Sequence, residues 1–466
     1  MTHTDHTVVP EAHPLRIAIV GSGPSAFYAA EGLFNSARAM RVDMLERLPA
    51  PYGLVRHGVA PDHQKLKEPI RVYAGIARHP GFRLFGNVTV GKDVSVEELR
   101  AAYHAVLFCC GAETDRRLGI PGEDLPGSHT ATEFVGWYNA HPDYRDRQFD
   151  LGQEVAVIIG QGNVAIDVAR ILAKTVDELK HTDIAEHALE SLAKSRIREI
   201  HLIGRRGPAQ AKFTTKEFRE LGELADCDPV VDLADLVLNP ESLAELEQRA
   251  GAVAKKNLEI LKAFAARPTR GVRRRVFLRF LLSPVELRGA RFVEQVVLER
   301  NRLEGSPLHQ TARGTGERVA QACGLVFRSI GYRGVAIPGV PFDSRQGVFP
   351  TKDGRIVDEA GVRIPGLYAS GWIKRGPTGI IGTNRADSLA TLQSLLADAD
   401  SLDTGAKPGA EGVPALISGR GLRLVTFQDW LVIDQAEVQR GAPKGKPREK
   451  FTRREEMLNL LRRPLS

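Results

Sequence analysis

The chain of 466 residues is poor in cysteine, with only four: Cys109, Cys110, Cys227 and Cys323. None of them forms a Cys-x-x-Cys pair, and their spacing gives no paired framework. This scarcity argues against a disulfide scaffold, a cysteine-held cluster and a dithiol redox centre. Cys109 and Cys110 end an apolar strand and are most simply read as core residues. No metal site is predicted.

Long apolar runs are also missing, and no stretch approaches the roughly 18 residues that a membrane span needs. The opening residues 1–14 are polar and rich in histidine, with neither an apolar core nor arginine enrichment. We therefore expect no targeting peptide, no membrane span and a reducing cytoplasmic location. The formal net charge of +7 is mild, and it suits an acidic partner or a nucleic acid without choosing between them.

Residues 15–46 have the pattern of a strand, a glycine turn, a helix and a second strand that ends in an acid. The turn contains Gly21, Gly23 and Ala26, and the acid is Glu46. The first glycine makes the turn, the second lets the backbone approach a pyrophosphate, and the small third residue lets helix and strand pack closely. The carboxylate of Glu46 is placed to accept hydrogen bonds from ribose hydroxyls. We predict a dinucleotide site, against the alternative of a plain strand-to-helix turn.

A second unit of the same kind begins with an apolar strand at residues 155–159, followed by Gly160, Gly162 and a helix. The N-terminal amides of that helix can hold a pyrophosphate. The next strand ends in Arg205 and Arg206 rather than in an acid. Because arginine accommodates a 2′-phosphate, we predict NADP at this second site. The alternative is two solvated loop arginines.

Two such units about 140 residues apart are typical of a flavoprotein that takes hydride from a nicotinamide. The first unit would then hold FAD and the second NADP. Elsewhere we predict a helix that begins at Pro61, helical character for the acidic residues 221–254, and strands near residues 292–298 and 324–329. A basic stretch covers residues 255–280. The C-terminus from residue 444 is basic too, and its role stays open, as does that of His57.

Several longer runs resemble one family in particular. They are residues 21–26 (GSGPSA), 53–63 (GLVRHGVAPDH), 160–170 (GQGNVAIDVAR), 204–208 (GRRGP), 212–217 (KFTTKE) and 371–379 (GWIKRGPTG). Together they resemble the adrenodoxin-reductase-type ferredoxin–NADP⁺ reductases, particularly the bacterial members. The resemblance implies an α/β fold of two Rossmann-like domains, with the NADP domain inserted into a discontinuous FAD domain. Transferred here, residues 15–112 and 325–466 form the FAD domain, and residues 113–324 form the NADP domain.

The resemblance also implies site residues. Those expected at FAD are Gly21, Gly23, Ala26, Glu46, Leu54, Gly371, Trp372, Gly379, Ile380 and Ile381. Those expected at NADP are Gly160, Gly162, Asn163, Arg205, Arg206 and Glu217. His63 and Glu220 would form a polar pair near the flavin that assists hydride or proton transfer. On the residues alone, His63 could be a helix-start histidine, and Trp372 an aromatic that only packs.

The implied activity passes hydride from NADPH to FAD, and then single electrons to an iron–sulfur ferredoxin. Ferredoxins are generally acidic, so we expect a basic docking face. The candidate residues are Arg267, Arg270, Arg273, Arg274, Arg275 and Arg279, with a merely solvated charged segment as the alternative. The basic C-terminus has little aromatic interleaving, so no nucleic-acid partner is expected.

Four rival functions share part of this pattern. A disulfide reductase would need a dithiol, and the small subunit of glutamate synthase usually carries cysteine ligands for clusters. A flavin mono-oxygenase remains the main alternative because a fold does not determine its chemistry. A non-enzymatic NADP-binding regulator is the rival from another class.

Overall fold

The computed structural model describes residues 14–402 and 405–462, so the N-terminal tail before Pro14 lies outside the described residues. The strands, in chain order, are β1 (Leu15–Val20), β2 (Met40–Glu46), β3 (Phe82–Gly86), β4 (Ala105–Phe108), β5 (Thr114–Asp115), β6 (Ser128–Thr130), β7 (Val155–Ile159), β8 (Glu199–Ile203), β9 (Cys227–Val231), β10 (Arg274–Arg279), β11 (Leu282–Arg288), β12 (Gln295–Glu304), β13 (Thr311–Ala322), β14 (Leu325–Arg328), β15 (Tyr332–Arg333), β16 (Thr351–Lys352), β17 (Arg355–Val357) and β18 (Arg363–Ala369).

The helices, in chain order, are α1 (Pro24–Phe34), α2 (Gly53–His57), α3 (Pro69–Ile76), α4 (Val96–Ala102), α5 (Ala131–Tyr138), α6 (Asn163–Ala173), α7 (Val176–Leu179), α8 (Glu186–Ala193), α9 (Thr215–Glu220), α10 (Pro240–Glu247), α11 (Ala252–Ala265), α12 (Trp372–Arg375), α13 (Thr383–Ala397), α14 (Ala399–Leu402), α15 (Gly412–Gly419), α16 (Phe427–Gly441) and α17 (Arg454–Leu460). Across the described ranges, none of them is long and apolar enough to cross a membrane.

The first sheet has the strand order β16-β17-β18-β4-β1-β2-β3. Its strands from β18 to β3 pair in parallel. The strand β1 reads as an almost continuous apolar run because both faces of the sheet are covered. One core cluster packs α1, α13 and α16 on one face, and another packs α4 and α15 on the other. We call this part of the molecule the first body.

The second sheet is parallel throughout, in the order β6-β14-β7-β8-β10-β9. Its main core cluster includes residues of α5, α6 and α8. An antiparallel sheet of β11, β12 and β13 packs beside it. We call this part the second body. The short ladder of β5 with β15 lies where the chain passes between the two bodies.

The second sheet includes β14, although residues 325–466 were predicted to belong to the second part of the FAD domain. Leu325–Arg328 pairs with both β6 and β7, so the chain leaves the second body only after residue 328. The predicted boundary was therefore a few residues too early. The reason is that β14 completes the parallel sheet before the chain turns at Gly331, which has φ +109°.

Two local predictions also needed correction. The helix expected from Pro61 begins only at Pro69, after a short 3₁₀ turn at Gln64–Lys67. The acidic region expected to be helical contains the strand β9, and the basic stretch contains the strand β10. In β10 the arginines masked an alternating pattern, because Val276 and Leu278 are buried while Arg275 is exposed.

Candidate active site between two dinucleotide turns

The first glycine turn has one crowded glycine, Gly21, and one open glycine, Gly23. Gly21 has φ +99°, and a Cβ there would lie 2.6 Å from the carbonyl oxygen of Cys109. A Cβ at Gly23 would meet nothing within 4 Å. The helix α1 begins directly after it with Pro24, and Ala26 is buried. An open glycine at a helix N-terminus fits a pyrophosphate.

Glu46 ends β2 beside this turn, and its carboxylate is held in place. Its Oε2 accepts a hydrogen bond from Ser22 Oγ at 2.6 Å, and its Oε1 accepts one from the Leu48 amide at 2.9 Å. Burial raises the pKa of Glu46, and these two donors oppose the rise. The carboxylate is therefore preorganised at the position where the ribose of a dinucleotide would lie.

Two distant segments approach the same turn. A Cβ at Gly53 would lie 3.1 Å from the Cα of Gly23, which places the start of α2 and the half-buried Leu54 beside the turn. From the other side, Gly371 follows β18 with φ +78°, and its amide donates to Asp387 Oδ2 at 2.6 Å. A Cβ at Gly371 would lie 2.9 Å from the Cβ of Ser25, so the segment that leads into Trp372 lies against the start of α1.

Trp372 lies against the segment that leads to residues 379–381. The ring of Trp372 stacks on Tyr332 at 5.3 Å between centroids, and its Nε1 donates to the Thr378 carbonyl at 3.2 Å. Gly379, Ile380 and Ile381 lie just before Gly382, the N-cap residue of α13, and Ile380 is 65% exposed. Backbone amides ahead of a helix carry partial positive charge, which suits the side of a flavin that gains negative charge on reduction.

The second glycine turn repeats the first. Gly160 has φ +132°, and a Cβ there would collide with the carbonyl of Ser329. A Cβ at Gly162 would meet nothing within 4 Å, and α6 begins at Asn163. Asn163 Oδ1 accepts a hydrogen bond from the Thr214 amide at 2.7 Å. This turn therefore has the same open position for a phosphate.

Three charged side chains near the second turn have no hydrogen-bond or ion-pair partner among the residues that the structure describes. Within the described ranges, the guanidinium groups of Arg205 and Arg206 form no hydrogen bond and no ion pair. Burial and the neighbouring charge of Arg205 lower the pKa of Arg206. Glu217 Oε2 is buried and, among the same residues, has no hydrogen-bond partner. Two adjacent unpaired arginines fit an anionic group such as a 2′-phosphate.

Where the two bodies meet, a polar cluster joins them. His63 Nε2 and Glu220 Oε2 are 2.6 Å apart, and His63 belongs to the first body while Glu220 ends α9 of the second. The two line the same open pocket of about 270 Å³, together with Asp62, Lys174, Glu178, Glu223 and Leu224. The structure thus brings together the two residues for which the resemblance implied a polar pair.

Arg170, the centre of this cluster, was not predicted from the sequence. Its side chain is 0% exposed and contacts Asp62, Asp167 at 2.5 Å and Glu220 at 3.5 Å. Burial alone would raise the pKa of Asp62, but Arg170 lowers it to about 2. Burial raises the pKa of Asp167 to about 6. Asp167 and Arg170 are three residues apart on α6, which is the signal that could have paired them.

The predicted docking cluster is not a single free basic face. Arg274 is only 5% exposed and donates to the carbonyl of Ala173 at 3.4 Å, because it is an inward-facing residue of β10. Placing it on a docking surface was wrong. The other five have polar partners nearby: Arg267 with Gly222, Arg270 with Asp228, Arg273 with Ser195, Arg275 with Glu199 and Arg279 with Gln321.

The basic C-terminal segment, residues 442–454, links the two bodies. Lys450 Nζ lies 3.0 Å from Asp183 of the second body and donates to the Arg56 carbonyl of the first at 3.1 Å. The segment's other ion pairs with the second body are Lys444 and Lys446 with Glu186, Arg453 with Asp146 and Arg454 with Asp143. This segment, whose role the sequence left open, holds the second body against the first.

Two Rossmann-like bodies, each with a dinucleotide turn, define an oxidoreductase that pairs a flavin with a pyridine nucleotide. In agreement, residues 15–203 match the family described as pyridine nucleotide-disulphide oxidoreductase. The chain is 47% identical to NADPH-ferredoxin reductase FprA of Mycobacterium tuberculosis over 461 residues, which cover 96% of this chain and 99% of that protein. It is 44% identical to human mitochondrial NADPH:adrenodoxin oxidoreductase, covering 96% of this chain and 92% of that protein.

Among solved structures, Mycobacterium tuberculosis FprA in complex with NADPH is similar with a TM-score of 0.91 and 46% sequence identity. The match covers 96% of this chain and 99% of that one. The chain belongs to the adrenodoxin-reductase-type ferredoxin–NADP⁺ reductases. The family and the α/β fold expected from the sequence are confirmed, and so are the cofactors FAD and NADP(H).

Proposed function

We propose that this chain oxidises NADPH at the second turn and reduces an iron–sulfur ferredoxin by way of FAD held at the first. The observation that carries the proposal is the cluster of His63, Glu220 and Arg170, where residues of both bodies meet. In this proposal both dinucleotide sites face this junction. A protein that only bound NADP would not need a second dinucleotide site at the junction between the two bodies.

In this proposal the first body holds the flavin. Gly21, Gly23 and Ala26 admit its pyrophosphate, Glu46 accepts from its ribose, and Leu54 and Gly371 border the groove. Trp372, Gly379, Ile380 and Ile381 lie at the end nearest the junction. When bound, FAD supplies the conversion from a two-electron hydride to single electrons. The contribution of the chain is to orient the bound groups and to set their electrostatic surroundings.

The second body holds the coenzyme. Gly160, Gly162 and Asn163 receive the pyrophosphate at the start of α6, and Arg205 with Arg206 binds the 2′-phosphate. Glu217 offers a buried acceptor with no protein partner in the described part of the chain. This unsatisfied oxygen suits a hydroxyl or amide donor of the coenzyme, because an unpaired buried acceptor is unfavourable.

His63 and Glu220 are proposed to orient and hold a proton at the junction. The short contact between them fixes the orientation of the imidazole ring by a hydrogen bond to the carboxylate. Burial would raise the pKa of Glu220, but the hydrogen bond to His63 and the charge of Arg170 lower it. Glu220 therefore stays ionised as a partner of His63 Nε2, while His63 Nδ1 lies 3.9 Å from Asp167 Oδ1.

The electron acceptor is proposed to be an acidic iron–sulfur protein that docks by charge. Arg267, Arg270, Arg273 and Arg275 are exposed, and Arg279 is half-buried. We expect Arg267→Glu together with Arg273→Glu to slow ferredoxin reduction, with the largest effect at low salt, because the encounter is steered electrostatically. Reduction of a small acceptor such as ferricyanide should not change. An equal fall in both activities would remove this surface from consideration.

The decisive experiment is a coupled assay on the purified flavoprotein. NADPH should bleach its flavin absorbance, and cytochrome c reduction should depend on added ferredoxin. Stoichiometric hydrogen peroxide or an oxygenated substrate would instead point to the mono-oxygenase alternative. A colourless protein that binds NADP without any reduction would leave only a binding module.

A further inference from the structure

We propose that Asn301 is a positioning residue for the 2′-phosphate of NADP(H), and that it acts through the main chain of Arg205. The inference rests on the proposed coenzyme site, but concerns a residue that no motif in the sequence marked. Asn301 lies on β12, in the antiparallel sheet beside the second body. Through Asn301, the antiparallel sheet would support the turn that carries Arg205 and Arg206.

The side chain of Asn301 uses both hydrogens of its amide. Nδ2 donates to the carbonyl oxygen of Arg205 at 2.9 Å and to Ser283 Oγ at 2.8 Å, and the residue is only 5% exposed. The pairing of β12 with β13 shifts register between Glu299 and Asn301. A bulge of this kind re-aims a side chain, and here the side chain points at the turn that follows β8.

The same region holds the carbonyls on either side of Arg205. The amide of Leu282 donates to the Gly204 carbonyl at 3.0 Å, and the amide of Leu281 donates to the Arg206 carbonyl at 3.1 Å. Three consecutive carbonyls of the turn thus each accept a hydrogen bond from β11, β12 or the residue before β11. Leu281 takes a left-handed φ of +53°, which is rare for a leucine and indicates that the surroundings impose this turn.

Support from the main chain matters because the two side chains are not held otherwise. The guanidinium groups of Arg205 and Arg206 form no hydrogen bond or ion pair with any described residue, and their like charges repel. Without the contact to Asn301, the turn can relax and let the guanidinium groups separate. The two guanidinium groups must then be ordered again when the anion binds. The free energy that this ordering requires weakens the affinity for the anion.

The test replaces Asn301 with leucine, which has a similar volume and no donor. Binding of 2′,5′-ADP and of 5′-AMP is measured by calorimetric titration, so that the 2′-phosphate contribution appears as a ratio of Kd values. We expect Asn301→Leu to weaken 2′,5′-ADP about 5- to 20-fold, the range for one lost hydrogen bond to a positioned group. Binding of 5′-AMP should change less than about 2-fold.

Steady-state kinetics supply the second measurement. The KM for NADPH should rise in Asn301→Leu, whereas the KM for NADH and kcat at saturating NADPH should stay near their starting values. The matched control is Thr315→Val, which removes a 2.9 Å hydrogen bond from a side chain to the Arg300 carbonyl in the same sheet. It should leave both Kd values unchanged.

Arg205→Ala separates this inference from the proposed site. If Arg205→Ala loses selectivity for 2′,5′-ADP but Asn301→Leu keeps it, Asn301 does not position the turn and the coenzyme site stands. If neither variant loses it, the 2′-phosphate binds elsewhere and both statements fail. Equal weakening of 2′,5′-ADP and 5′-AMP by Asn301→Leu would mean a general loss of folding, and would overturn the positioning role.

Discussion

The two glycine turns are nearly the same in backbone but differ in what surrounds them. In each, the first glycine (Gly21 or Gly160) has a positive φ and no space for a Cβ, while the second (Gly23 or Gly162) is open. Beside the first turn, the strand β2 ends in a half-buried carboxylate with two donors. Beside the second, the strand β8 leads into the paired arginines. The shared geometry suits a pyrophosphate at both turns, and the difference would let them select different dinucleotides.

The turns also differ in the sequence separation between the start of each helix and the residues that it contacts. Ser25, at the start of α1, is hydrogen-bonded to Ser370 at 2.9 Å and contacts Ser388 at 3.0 Å. These partners lie more than 340 residues away in sequence. The corresponding start of α6 contacts Thr214, only 51 residues away. A site closed by distant segments suits a cofactor that stays, and a site with unpaired arginines suits a coenzyme that exchanges.

Substitution of the first glycine should have the largest effect. Gly21→Ala forces a side chain onto the Cys109 carbonyl at a left-handed φ, so we expect the free energy of unfolding to fall by about 3 kcal/mol or more. Gly23→Ala fills open space, and should keep the unfolding midpoint in urea while lowering the FAD content. If the two variants behaved alike in both measurements, the two glycines would not have the separate roles that the comparison assigns.

Removal of one arginine tests the selectivity of the second turn. Arg205→Ala should raise the KM for NADPH about 10- to 100-fold, because hydrogen bonds to charged groups contribute roughly 1.5–3 kcal/mol. NADH lacks the 2′-phosphate, and its KM should change little. An unchanged KM for NADPH in both Arg205→Ala and Arg206→Ala would show that the arginines are merely solvated.

Much of this comparison could be predicted from local patterns. In each body the glycine turn, the helix after it and the residue that ends the next strand lie within about 50 residues of one another in sequence. The junction could not be predicted in the same way. Arg170 contacts Asp62 and Glu220, which lie on either side of it in sequence and belong to different bodies. Only the closed fold decides that a helical arginine becomes the shared partner of these acids.

The charge patterns were the least informative part of the sequence. The basic stretch near residue 274 predicted a surface, but half of a strand faces the core whatever its composition, so Arg274 is buried. Conversely, the basic C-terminal segment gave no sign of its partners. Those partners, including Asp143 and Asp183, belong to the second body and are more than 250 residues earlier in sequence.

Substitution of Asp62 tests how α6, the helix that begins at the second turn, is held against the first body. Its pKa is lowered to about 2 from 3.8, so its ionised form stabilises the fold. That stabilisation is complete above pH 4 and is lost as the pH falls through 2. Asp62→Asn should therefore reduce the free energy of unfolding by about 2 kcal/mol at pH 7, at roughly 1.4 kcal/mol per pKa unit, and by much less near pH 2.

Glu98 provides the matched control for this prediction. Its hydrogen bond with Arg420 also lowers its pKa to about 2, but the pair is on the surface. Solvent screens such pairs, so Glu98→Gln should have a smaller effect at every pH. A difference between Asp62→Asn and the unmodified protein that stayed constant from pH 7 to pH 2 would contradict the role of the ionised carboxylate.

The smallest effect is expected at Glu46, where stability and binding should move in opposite directions. Burial raises the pKa of this carboxyl, which means that the ionised group is unfavourable in the folded protein without its ligand. Glu46→Gln should leave the apoprotein as stable or slightly more stable, measured by thermal unfolding. The same variant should bind FAD about 5-fold more weakly, because a neutral amide accepts a weaker hydrogen bond than a carboxylate. Loss of both stability and affinity would make Glu46 a structural residue of the turn, and the difference between an acid and an arginine after the second strand would then no longer explain the choice of dinucleotide.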